Sequence, residues 1–177
     1  TPAYAEHEST KIWLASYAFD DEDIETWFPD QPCPPRIRQH IEAGGIIAAH
    51  NSAFERMIIR YIAGPRHGWP VPRADQWRCT AAMAAAMSLP RALDKACWVM
   101  GCAAQKDADG AKTMMRMAKP REIVPYGHKK WADLFAGLAR AGGSHPGLTK
   151  MSNGSIVVWW WSPELIARLD SYCQQDV

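Results

Sequence analysis

Two short segments far apart in the chain carry side chains at spacings that could do hydrolytic chemistry. The first is His50-Asn51-Ser52-Ala53-Phe54-Glu55. A short apolar strand, Ile46 to Ala49, leads into a polar turn at His50 and Asn51, and a helix begins near Ala53. Glu55 is thereby placed at a strand-to-helix corner, where α/β folds usually build their sites. Ser52 and Glu55 also match S-x-x-E, a capping box that would tie Glu55 to the start of its own helix. The second segment is the closing helix, with Ser162 as its expected N-cap and Pro163 as its first helical residue. Leu165, Ile166, Leu169, Tyr172 and Cys173 form its apolar stripe. Asp176 lies one turn beyond Tyr172, so a phenol and a carboxylate share one helix face.

Asn-x-x-Phe-Glu after a strand, followed by Tyr-x-x-x-Asp late on a helix, resembles the second and third motifs of the DEDD-type (DnaQ-like) 3′-to-5′ exonucleases. The Tyr-containing subtype is the proofreading domain of family A DNA polymerases, and AHNSAFER and YCQQDV look most like its phage-type members. Weaker echoes are Tyr4-Ala5-Glu6-His7, Leu14 to Asp21, Ser88-Leu89-Pro90, Lys106-Asp107 with Gly110, and Lys119-Pro120-Arg121. The resemblance implies an α/β fold, a ribonuclease H-like mixed sheet flanked by helices, over residues 1–177. It also implies two-ion hydrolysis of the 3′-terminal phosphodiester of single-stranded or frayed DNA. Glu55 and Asp176 would be two of four carboxylates holding Mg²⁺ or Mn²⁺, since hard cations take oxygen ligands. Tyr172 would position the attacking water, and Asn51 and Phe54 would contact the terminal nucleotide. Glu55 stands where Asp is more usual in the family. The implied partners are a DNA 3′ end and a polymerase domain of the same parent chain. Two other readings stand beside this one: a catalytically incomplete module of the same fold that binds DNA or scaffolds a polymerase, and an RNA-degrading relative.

The first exonuclease motif, D-x-E, has one formal match, Asp23-Ile24-Glu25-Thr26. On a strand both acids would share a face, but they follow Asp20, Asp21 and Glu22 in what reads as a solvated hairpin turn. Only a short helix and a strand fit between Glu25 and Asn51. The first motif is therefore expected upstream of Thr1, with the first strand missing, and both ends look cut from something longer. A chain with half a metal site is expected to be nearly inactive alone.

The elements that must position these residues follow from turn and cap signals. Lys11 to Asp20 and Ile24 to Phe28 read as a hairpin, and Arg36 to Ala43 as a helix closed by Gly44-Gly45. A loop is expected at Gly64-Pro65 and Gly68-Trp69-Pro70. Helices are expected over Ala81 to Met87, Arg91 to Met100 and Trp131 to Ala141. Lys106 to Lys130 is basic and reads either as a contact for a DNA backbone or as a solvated loop. Ile156 to Trp161 is strand-like, its three tryptophans either buried or free to stack bases. His50 is expected to serve the turn rather than catalysis.

With 47% apolar residues, nine Trp and eight Met in 177 residues, the chain can bury a substantial core. Its formal net charge of +1 advertises no polyanion partner globally, so any such contact must be local. Five cysteines without a C-x-x-C pair argue against a disulfide framework or a structural zinc site and for a reduced, cytoplasmic compartment. No signal peptide and no apolar run of about 18 residues is present.

Overall fold

A computed structural model describes residues 2–102 and 107–177; Lys106 lies outside the described residues. The architecture is mixed α/β, with helices around small sheets. The chain divides into two compact units, Thr1–Ala15 with Glu25–Lys106, and Ser16–Ile24 with Asp107–Val177.

After a short helix α1 (Pro2–Glu6), the two strands expected near the N-terminus form but are brief, β1 (Ala15–Tyr17) and β2 (Glu25–Trp27). Asp20 and Asp21 sit in a turn and Glu22 in a bend, Asp20 has φ 50, and Asp23 and Glu25 are exposed, as a solvated turn requires. Trp27 is the anchor of the first unit. It is 1% exposed, donates Nε1–H to the carbonyls of Gln31 and Pro32, and meets the rings of His67 and Trp69 edge-on at 5.1 Å.

Helix α2 (Pro35–Glu42) starts on Pro35 and buries Ile37 and Ile41. Gly44, at φ +85, ends it, and the Gly45 amide donates back to the His40 carbonyl. The chain then enters β3 (Ile47–Ala49), which pairs in parallel with β4 (Trp77–Cys79), Ile47 opposite Trp77 and Ala49 opposite Cys79.

Between these strands runs one helical stretch: α3 (Ala53–Ile58), a π turn (Ile59–Ala63) and α4 (Gly64–His67), ended by Gly68 at φ +68. The loop expected at Gly64-Pro65 is thus a helical turn. In a regular α-helix the Pro65 ring would clash with the Tyr61 carbonyl, and the widened turn lies directly ahead of it. Helices α5 (Thr80–Ala86) and α6 (Leu93–Met100) follow, the latter ending at Gly101 with φ +70.

Gln76 fixes the start of β4. Its side chain is buried with every polar atom used: Nε2 donates to the carbonyls of Ile41 and Gly45, both at 2.9 Å, and Oε1 accepts from the Arg73 amide at 2.9 Å. Gln76→Leu would strand two carbonyls and an amide. It is expected to cost about 2–3 kcal/mol in urea unfolding.

In the second unit β7 (Ile156–Trp159) lies between β5 (Pro120–Val124) and β6 (Leu148–Lys150), antiparallel to both. Ile156, Val157 and Trp159 are buried there, with Met117 of α7 (Ala108–Met117), Leu138 of α8 (Trp131–Arg140) and Leu169 of α9 (Pro163–Gln175). The basic stretch is therefore not an open loop. Its described part is a helix, a strand and, over residues 125–130, exposed turns that hold Lys129 and Lys130.

Candidate active site

Glu55 lies in the first turn of α3, just beyond the carboxyl end of β3, but the capping box is not formed. Ser52 adopts helical angles, φ −50 and ψ −13, and its side chain caps no helix amide. The Ser52 hydroxyl is used instead by the Cys79 thiol. Glu55 is half-buried, and its Oε2 is buried without a hydrogen-bond partner. Burial pushes its carboxyl above the ordinary value, against the lowering effects of its own backbone amide and of His50. A desolvated carboxylate oxygen with nothing to accept from is costly unless something else occupies that place.

The turn around Glu55 is rigidly held. His50 Nε2 donates to the Arg91 carbonyl at 2.7 Å, and Nδ1 meets the Thr80 hydroxyl at 3.0 Å, which ties the turn to the segments after β4. Asn51 sits at φ 67, a left-handed conformation that Asn tolerates better than most residues. Its side chain is exposed. Phe54 is 45% exposed, its ring 6.4 Å from that of Tyr4. The opposite face of the same helical stretch, Ala53, Arg56, Met57 and Arg60, lines a cleft of about 400 Å³ with Trp77. Glu55 does not line it.

Cys79, which sequence reasoning passed over, ends β4 opposite Ala49. Its sulfur accepts from the amides of Ala82, Ser52 and Asn51 and from the Ser52 hydroxyl, and these donors pull its pKa down to about 7 despite some burial. The available signal was its place at the carboxyl end of a strand that runs straight into a helix. Cys173, by contrast, is pushed up to about 11 by burial. Iodoacetamide is expected to alkylate Cys79 with a rate midpoint near pH 7 while Cys173 stays unlabelled in the native protein; peptide mapping reads both. Labelling of Cys79 that begins only above pH 8 would contradict this geometry.

In the second unit, α9 begins as expected, with Ser162 Oγ accepting from the Leu165 amide at 3.2 Å and Pro163 leading the helix. Tyr172 and Asp176 lie one turn apart, and the Tyr172 hydroxyl donates to the Asp176 carboxylate. Burial, then the charge and hydrogen bond of Asp176, raise the phenol above its usual range. Tyr172 therefore stays protonated at neutral pH and can position a partner but not act as a base. Asp176 is exposed at the C-cap of α9. It lies past the buried part of the stripe rather than within it.

Helix α7 sets the place of Tyr172. Asp107 caps α7 by accepting from the Gly110 amide at 2.9 Å and pairs with Arg168 of α9 at 2.5 Å. The Arg168 guanidinium, then the Gly110 amide, hold Asp107 below the usual carboxylate range. A Cβ on Gly110 would stand 2.5 Å from Tyr172 Cδ2 and 2.8 Å from its Cβ, so only glycine admits this approach. Among the described residues no three or more His, Cys, Asp or Glu side chains converge as a metal-holding group.

The chain is 32% identical over 117 residues to a DNA polymerase of Bacillus phage SP02. The aligned part is 64% of this chain and 17% of that polymerase, so the chain spans about a sixth of its relative. The relationship is distant and partial, and it is to a DNA polymerase. No protein-family model and no solved structure matches. Among the described residues, no helix is long and apolar enough to cross a membrane.

Proposed function

We propose that the chain is the 3′-to-5′ proofreading exonuclease region of a DNA polymerase, ribonuclease H-like in fold. The observation that carries this is the orphaned, desolvated Oε2 of Glu55 at the end of a parallel strand pair, within Asn-x-x-Phe-Glu of a chain related to a DNA polymerase. An acceptor oxygen without a donor fits a divalent cation, and Glu55 and Asp176 would each hold Mg²⁺ or Mn²⁺. Bound ions of that kind supply Lewis acidity and charge stabilisation in phosphodiester hydrolysis. Tyr172, protonated and oriented by Asp176, holds the attacking water by hydrogen bonding alone. Asn51 presents its amide, and Phe54 its ring, to the terminal nucleotide.

The test is excision by the protein that contains this chain, on a 5′-labelled DNA with a frayed 3′ end. A Mg²⁺- or Mn²⁺-dependent ladder of shortened products with released nucleoside monophosphates is expected, and Glu55→Gln should abolish it. An unchanged ladder in that variant would overturn the reading. Preference for a frayed RNA end would redirect it to RNA, and DNA binding without hydrolysis would leave a binding module.

A further inference from the structure

The basic stretch of the second unit is sorted by the fold into two kinds of charge. Between Lys112 and Lys130 the sequence places six Lys and Arg against one acid, Glu122, so most of these cations cannot be neutralised locally. Lys112 pairs with Asp109 at 3.0 Å and Lys130 with Glu122 at 2.9 Å. Arg116, in the last turn of α7, and Arg121, on β5, go elsewhere. Both converge on the half-buried indole of Trp160, with guanidinium carbons 3.8 and 5.1 Å from its ring centre. The two cations are thus no farther apart than the sum of those distances. Both are exposed, and among the described residues neither forms an ion pair.

Like charges gathered at one ring repel each other, and the ring's quadrupole offsets only part of that repulsion. An anion shared by the two guanidiniums removes the conflict. Phosphate suits them, because the planar guanidinium donates two parallel hydrogen bonds to its oxygens. The indole holds both side chains beforehand, so less rotamer freedom is lost on binding. Three consecutive tryptophans serve this arrangement unequally: Trp159 is buried and bonded to Thr149, while Trp160 carries the arginines. We infer that the Arg116–Trp160–Arg121 cluster is a contact for the phosphodiester backbone of a DNA strand, additional to the terminal-nucleotide contacts of Asn51 and Phe54. The choice of DNA rests on the proofreading reading; the contact itself requires no hydrolysis.

The experiment is fluorescence anisotropy of a labelled oligothymidylate with the 177-residue chain across a salt series, for the wild type, an Arg116→Ala/Arg121→Ala variant and an Arg116→Lys/Arg121→Lys variant. Single-strand binding loses about 0.7 in the slope of log K against log salt per phosphate contact. The alanine variant should therefore lose about 0.7 in slope, for the one phosphate that the two arginines share, and about tenfold in affinity at low salt, while the lysine variant keeps most of the slope. An oligomer of the same length with an uncharged methylphosphonate backbone should bind all three proteins alike. Wild-type slope and affinity in the alanine variant would overturn the inference, as would an equal loss with the uncharged oligomer. The two readings fail separately. A slope that falls without any Glu55-dependent excision keeps the contact and removes the nuclease, whereas Glu55-dependent excision with an unmoved slope does the reverse.

Discussion

Asp176→Asn in the protein that contains this chain is expected to slow excision of a frayed 3′ end by about a thousandfold, some 4 kcal/mol of transition-state stabilisation. The substitution keeps an oxygen to accept the Tyr172 hydroxyl and removes only the charge that would hold a cation. Stability should move the other way. Asp176 caps the C-terminal end of α9, where the helix dipole disfavours an anion, so the unfolding midpoint should be unchanged or slightly higher. A residue retained for the fold would show the opposite pairing. Tyr172→Phe, which would remove a water-positioning hydroxyl but no charge, should cost about tenfold, roughly the worth of one hydrogen bond. Single-turnover excision rates and thermal unfolding together decide the matter. Excision by Asp176→Asn within threefold of the wild type would refute the assigned role.

Glu55→Met is expected to stabilise the chain by about 1 kcal/mol at pH 8, the low end for relieving an uncompensated buried polar atom. The sign follows from the direction of the shift. Burial raises the Glu55 carboxyl above its ordinary value near 4.5. Its favourable, protonated state is fully present below that value and is lost as pH rises through the folded one. The variant's advantage should therefore shrink towards zero at pH 4, as urea unfolding at the two pH values would show. Mg²⁺ at pH 8 should stabilise the wild type more than the variant, because only a carboxylate can answer a cation. If Glu55 instead tied off α3, Glu55→Met would destabilise at pH 8.

Much of the local architecture was legible because caps are written in short range. Pro35 and Gly44 bound α2, Gly101 closes α6, and Ser162 with Pro163 opens α9, each within a residue or two of its observed place. The Tyr172–Asp176 pair was legible for the same reason: four residues on a helix is one turn. Three local signals misled. Ser52 and Glu55 carry a capping box in sequence, yet Cys79 across the strand pair takes the serine. Gly64-Pro65 reads as a break, but a π turn absorbs it. The glycine and proline around the basic stretch suggested a loop, whereas Asp107 caps a helix there through Gly110. The contacts that organise the second unit were not legible at all. Asp107 meets Arg168, Gly110 meets Tyr172, and two arginines meet Trp160 across separations that leave no periodic trace. Only packing reveals them.

The bare face of Gly110 has a bearing on how precisely a water could be aimed. A tyrosine resting on neighbouring side chains inherits their rotamer hopping, so its hydroxyl wanders with every one of them. Tyr172 rests partly on main chain instead, the stiffest surface a helix can offer, with the Asp107–Arg168 pair pinning the two helices beside it. Its reference frame is the backbone of α7. Aim of this sort is maintained without tightening the rest of the unit, so loops and side chains elsewhere in it can vary or move while the phenol keeps its bearing.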